Sequence, residues 1–187
     1  MDRTLIAMAM ECAFTQAEVI PVQELVFDSS FRKYCEENKC GNFGTNYACP
    51  PYCETPEQMK ERVTAYAYAL VMMSRFDVEN ALDPAQVIPT KNRHMERTFL
   101  LVGKAADLPA CRNSMLISGS PCMLCGECRM KKNLPCPSPE KRYSCVSAYC
   151  LDVMALAKAC SMEISWELNQ ISYFSIFLFG RGAGAGK

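Results

Sequence analysis

Residues 55–73 read TPEQMKERVTAYAYALVMM, and the two halves of that stretch ask for different backbone. Thr55 is a residue type that caps helix N-termini, and Pro56 suits the first helical turn. Gln58 sits three residues after Thr55, where its side chain can complete a capping box, so a helix is predicted from Thr55 to about Tyr66. The run Ala67 to Met73 is apolar enough for a buried strand. A capped helix feeding a buried strand is the unit from which an α/β reading grows.

Working outward, residues 2–14 read as a helix, because Leu5, Met8 and Cys12 recur at a spacing of three to four. Glu18 to Phe27 reads as a strand whose Pro21 marks an edge or a bulge. Ser29 or Ser30 is placed to cap a short helix over Phe31–Glu37. Asp83-Pro84 opens a longer helix towards Val102, with Gly103 near its end. A short strand is predicted at Ser114–Ser118. A helix is predicted at 147–160, burying Ala148, Leu151, Met154 or Ala155, and Leu156. The closing ISYFSIFLF, 171–179, is rich in aromatic and β-branched residues and reads as a strand. The expectation is a single α/β (or α+β) domain over residues 1–180, with a small mixed sheet, flanking helices and two long cysteine-rich metal-binding loops. Residues 181–187 are expected to form a flexible Gly/Ala tail, and their glycine spacing misses a phosphate loop by one residue.

Composition narrows the functional classes. Lys+Arg and Asp+Glu are balanced at 20 each, so the chain lacks the broad positive field that nucleic-acid binding uses. The longest apolar stretch, Ile171–Phe179, falls far short of the ~20 residues that span a bilayer, so neither nucleic acid nor membrane is expected as a partner. The opening apolar run Leu5–Met10 is shorter than the roughly 7–15 residues of a signal core. Thirteen cysteines are an odd number, and Cys122, Cys125 and Cys128 lie too close together for separate disulfides. A reducing, cytoplasmic setting fits, and there clustered thiols signal metal or redox chemistry.

The most specific motif is Cys122-x2-Cys125-x2-Cys128-x7-Cys136-Pro137. Three thiolates at i, i+3 and i+6 can reach three irons of a [4Fe–4S] cluster, and a more distant cysteine closes the fourth. Gly126 lets the loop wrap closely, and Pro137 stops a helix from following Cys136. Arg129, Lys131 and Lys132 are placed to offset the charge of a thiolate-ligated cluster. Bacterial ferredoxins place three residues before the last Cys-Pro, so Cys136 is less firmly tied to this cluster than the other three. Zinc is the rival, although structural zinc prefers two separated cysteine pairs.

The second constellation is Cys35-x4-Cys40-x8-Cys49-Pro50-Pro51-x-Cys53, with Gly41 and Gly44 supplying turns. Cys35, Cys40, Cys49 and Cys53 are enough for one complete site, a second cluster or zinc, with Cys53 the weakest ligand. Packing alone is the bland reading of these thiols. Cys12 and Cys111 are isolated and weaker candidates, and Cys160, on the 147–160 helix, reads as core filler. Cys145 and Cys150 lie near enough to the late loop to act as substitute ligands, but packing is again the favoured reading. His94, the sole histidine, reads as an ordinary surface or half-buried residue.

The run Glu37-Asn38-x-Cys40-Gly41-x-x-Gly44-x-Asn46-x-x-Cys49-Pro50-Pro51, then CxxCxxC at 122–128, Pro135-Cys136-Pro137, and Ala148-Tyr149-x-x-Asp152-Val153 resembles a family of predicted metal-binding proteins of anaerobic bacteria and archaea, catalogued as a domain of unknown function. The likeness runs in order along nearly the whole chain. It implies metal binding through these cysteines, in proteins usually regarded as iron–sulfur proteins, and it supplies no reaction. That family more often shows serine at position 145 and glycine at 150, which argues for filler at both.

Taken together, an iron–sulfur protein acting in electron transfer or redox sensing is expected, serving an unidentified redox partner protein. A zinc-stabilised interaction module is the structural alternative. A cluster-dependent enzyme with an open iron site is the lesser alternative, since no acid–base pair, phosphate loop or dinucleotide fingerprint accompanies the cysteines.

Overall fold

In the computed structural model, which describes residues 2–180, the 55–73 stretch forms helix α3 (Pro56–Thr64) followed by strand β2 (Tyr68–Asp77). The capping box is present: the Thr55 hydroxyl accepts from the Gln58 amide at 3.3 Å, and Gln58 Oε1 accepts from the Thr55 amide at 3.0 Å. β2 runs further than its apolar core, through Ser74 and Arg75, because β5 (Gln170–Phe179) pairs with it antiparallel along its whole length.

These two strands are the middle of a five-stranded sheet of order β1-β2-β5-β3-β4. β1 (Gln16–Pro21) is at one edge, antiparallel to β2. The predicted strand stops at Pro21, which has no amide to donate, and a 3-10 turn follows at Val22–Glu24. On the other side β3 (Met115–Ser118) pairs antiparallel with β5 and parallel with the two-residue β4 (Ser144–Cys145). The sheet is therefore mixed, and the fold is a single α/β domain.

Both faces of the sheet are covered, which is why β2 lacks polar alternation. Ala69, Val71, Met73, Ile176 and Leu178 face Met59 and Val63 of α3 and Leu156 and Ala157 of α5 (Val153–Ala159). Leu70, Met72, Phe177 and Phe179 face Leu5 and Ala9 of α1 (Asp2–Glu11) and Leu101 and Ala105 of α4 (Pro84–Ala105). Cys12 and Cys111 sit in this second core and Cys160 in the first, as filler.

Three local expectations are corrected. Asp28, not Ser29 or Ser30, caps the 3-10 turn that leads into α2 (Arg32–Glu36), accepting from the Ser30 amide at 2.9 Å. The helix expected from 147 begins only at Val153, because Cys150 adopts a left-handed backbone (φ 54°) and Asp152 then caps the amides of Met154 and Ala155. His94, on α4, is fully buried against the sheet. Its Nδ1 lies 2.9 Å from Ser74 Oγ and its Nε2 2.8 Å from Ser175 Oγ. Burial, reinforced by Arg97, pushes its pKa down to about 3, so the ring is neutral. No described helix is long and apolar enough to cross a membrane. The predicted tail at 181–187 lies outside the described residues.

Candidate metal centre

The long loop between β3 and β4 carries the CxxCxxC motif. Proline and polar residues keep it irregular, and its main regular element is a 3-10 turn at Arg129–Lys132 that starts directly after Cys128 and ends on left-handed Asn133. Two tyrosines tie the loop down. The Met123 amide donates to Tyr143 Oη at 2.8 Å, and Tyr47 Oη donates to the Leu134 carbonyl at 3.0 Å. Burial holds the Tyr143 hydroxyl at about 12, protonated and available as a donor in its own right.

Cys122, Cys125, Cys128 and Cys136 all line one pocket. Its wall is completed by Leu124 and Pro137, by Asn46, Tyr47 and Ala48 of the earlier cysteine loop, and by Arg129 and Arg142. Thus four cysteines and two arginines border a common space. Lys131 and Lys132, expected to balance cluster charge, instead approach Glu127 at 3.9 and 3.2 Å. Arg142, which follows the motif rather than falling inside it, lines the same pocket and lies 4.0 Å from Glu54 Oε1. A Cβ at Gly126 would meet no protein atom within 4 Å, so protein packing does not require glycine there.

The earlier loop is built on turns. Gly41 and Gly44 hold φ of 70° and 68°, a conformation open to glycine and strained for other residues. The Gly44 amide donates to the Pro50 carbonyl at 2.8 Å, closing the loop. Asn46 accepts from the Ala48 amide at 2.9 Å and directs its own side-chain N–H to Cys49 Sγ at 3.4 Å. Cys40 is exposed, Cys35 partly buried and Cys49 buried. Burial raises the Cys35 thiol to about 11 and Cys49 to about 12, so both stay protonated at neutral pH until a cation compensates. Cys53 has a different neighbour: its Sγ accepts from Arg32 Nη1 at 3.2 Å.

Among the described residues, no three His, Cys, Asp or Glu side chains gather tightly enough for one metal ion. A single zinc requires its donors at about 2.0–2.3 Å from one point. A polynuclear core instead spreads its thiolates over separate irons. The late pocket offers the donor chemistry of a thiolate-bound metal: four cysteines, no carboxylate or imidazole in the lining, and arginines at the border.

The chain matches the family described as Predicted metal-binding protein (DUF2284) over residues 18–179. No curated protein and no solved structure matches the chain.

Proposed function

The chain belongs to that metal-binding family, and from this premise we propose that it is an iron–sulfur protein whose [4Fe–4S] cluster is held by Cys122, Cys125, Cys128 and Cys136 and which works in electron transfer or redox sensing. The observation that carries the reading is that these four cysteines line one pocket although seven residues separate Cys136 from the CxxCxxC run. A bound cluster supplies one-electron chemistry at a potential set by burial, N–H donation to sulfur and nearby charge. The chain's own residues shape those terms. Arg129 and Arg142 place positive charge beside the thiolates, favouring the more negative, reduced state. Tyr143 anchors the Met123 amide, and Leu124, Ala48 and Pro137 limit water at the pocket wall.

Anaerobic purification is expected to give a brown protein with iron and sulfide in equal amounts and a broad visible absorbance bleached by dithionite. Cys125→Ser should lose the late-loop iron, whereas Cys160→Ser, in the core, should keep it. A colourless protein carrying stoichiometric zinc would overturn the assignment.

A further inference from the structure

We propose that a cleft beside the late pocket binds a small aromatic molecule bearing a phosphate group, of mononucleotide size. The inference stands apart from the cluster assignment, since the two cavities have only Leu124 and Arg142 in common.

The cleft opens where the sheet runs short. β4 pairs only with Ile117 and Ser118 of β3, so Met115 and Leu116 have no strand on that side. Ile117 and Ser118 are buried, whereas Met115 and Leu116 stay partly exposed and line a cleft of about 740 Å³. That volume lies within the roughly 300–1,000 Å³ of small-molecule sites. Helix α3 borders it through Arg62, α4 through Phe99 and Val102, and the late loop through Leu124 and Lys141.

The lining offers two kinds of contact. One is aromatic and apolar. Tyr66, Phe99, Tyr143 and Phe177 all line the cleft, and the rings of Phe99 and Tyr143 meet edge to face with centroids 5.6 Å apart. Phe99 and Leu124 stay 38% and 48% exposed, so a flat apolar ligand body gains by covering them.

The other is positive charge. Arg62, Arg112, Lys141 and Arg142 line the cleft. Glu54 serves two of them: it accepts from Arg62 Nη1 at 2.8 and 2.7 Å and lies 4.0 Å from Arg142. Glu140 is the one carboxylate in the lining itself. Neither Arg112 nor Lys141 has a carboxylate within ion-pair range among the described residues. Two carboxylates against four cations leave two positive charges over, which matches a phosphate monoester of about −1.5 to −2 at pH 7. Like charges converging on a cleft with apolar walls concentrate the opposite ion there. A bare anion would leave the aromatic wall uncovered, and a neutral ring would leave the cations unpaired. One molecule carrying both features satisfies both.

The test is calorimetric titration of the full chain with flavin mononucleotide and with adenosine monophosphate, set against riboflavin, adenosine and inorganic phosphate. At least one mononucleotide should bind at one per chain, about tenfold or more tighter than its phosphate-free form and than inorganic phosphate. Arg112→Gln/Lys141→Gln should weaken that binding about tenfold or more with circular dichroism unchanged, since neither side chain belongs to a core or to the late pocket. Phe99→Ala, at a partly exposed position, should weaken the mononucleotide and leave inorganic phosphate unaffected. Lys39→Gln, whose lysine is 86% exposed on the early loop, should change nothing. The proposal is overturned if neither mononucleotide binds, or if inorganic phosphate binds as tightly as they do. It is equally overturned if Arg112→Gln/Lys141→Gln or Phe99→Ala binds like wild type, or if Lys39→Gln weakens binding as much as the double variant. A zinc-loaded chain that still binds the mononucleotide would leave this inference standing and end the cluster assignment alone.

Discussion

At the scale of single residues, His94 shows how a lone polar side chain becomes structural. Its two ring nitrogens are matched by Ser74 and Ser175, and Thr98 adds a hydroxyl 3.2 Å from Ser175 Oγ. The folded state resists protonation down to about pH 3, whereas the unfolded chain takes up the proton near 6.5. Acidification through that window therefore favours unfolding, by up to about 1.4 kcal/mol per pH unit. Urea midpoints should fall between pH 6.5 and about 3, and His94→Gln should flatten that part of the slope. Gly119 guards the same ring: a Cβ there would come 3.0 Å from His94 Cδ2 and 3.1 Å from the Phe174 carbonyl. Gly119→Ala should consequently destabilise by about 1–3 kcal/mol, the usual cost of overpacking, measured by denaturant titration.

At the scale of elements, the strongest local signals are the caps. Thr55→Ala removes half of the capping box of α3 and should cost about 1 kcal/mol. Phe177 of β5 is paired with Leu70 and Leu116 on its two sides and is 1% exposed. Phe177→Ala should cost about 3–5 kcal/mol, because the surrounding sheet cannot close over the cavity. The contrast between these two losses, checked in one equilibrium unfolding series, separates local helix propensity from central-strand packing. It also explains why α3 was readable while the start of α5 was not. The α3 cap is written within four consecutive residues, but the delay of α5 to Val153 depends on a left-handed Cys150 held between Ala148 and the pairing of Phe27 with Leu151.

At the scale of the molecule, the sheet carries its own two apolar cores and the cysteines of both candidate centres lie off them in irregular chain or at their margin. Metal removal should accordingly leave most far-ultraviolet circular dichroism while freeing the loops. Limited trypsin digestion is expected to cut the stripped protein first after Lys39 and Lys132, whose side chains are 86% and 66% exposed, and to cut the loaded protein far more slowly. Mass spectrometry of the fragments checks this, and early cleavage within β2 or β5 would contradict it. The segment 46–49 belongs to both loops' surroundings: Asn46, Tyr47 and Ala48 line the late pocket, and Cys49 belongs to the early group. Tyr47→Phe should therefore raise cleavage in the late loop, through loss of its bond to Leu134.

What the sequence determined by itself was whatever is encoded at short range. The CxxCxxC spacing, the capping box at 55–58, the edge position marked by Pro21, and the helix–strand alternation all rest on neighbours a few residues apart. Tertiary structure decided which distant groups meet: Arg142 at the late pocket, Tyr47 against Leu134, and His94 against the serines of β2 and β5. Those pairings span up to about a hundred residues of chain. They rest on contacts made across the folded chain, and the two-residue β4 that docks on β3 leaves no periodic trace in the sequence around Cys145.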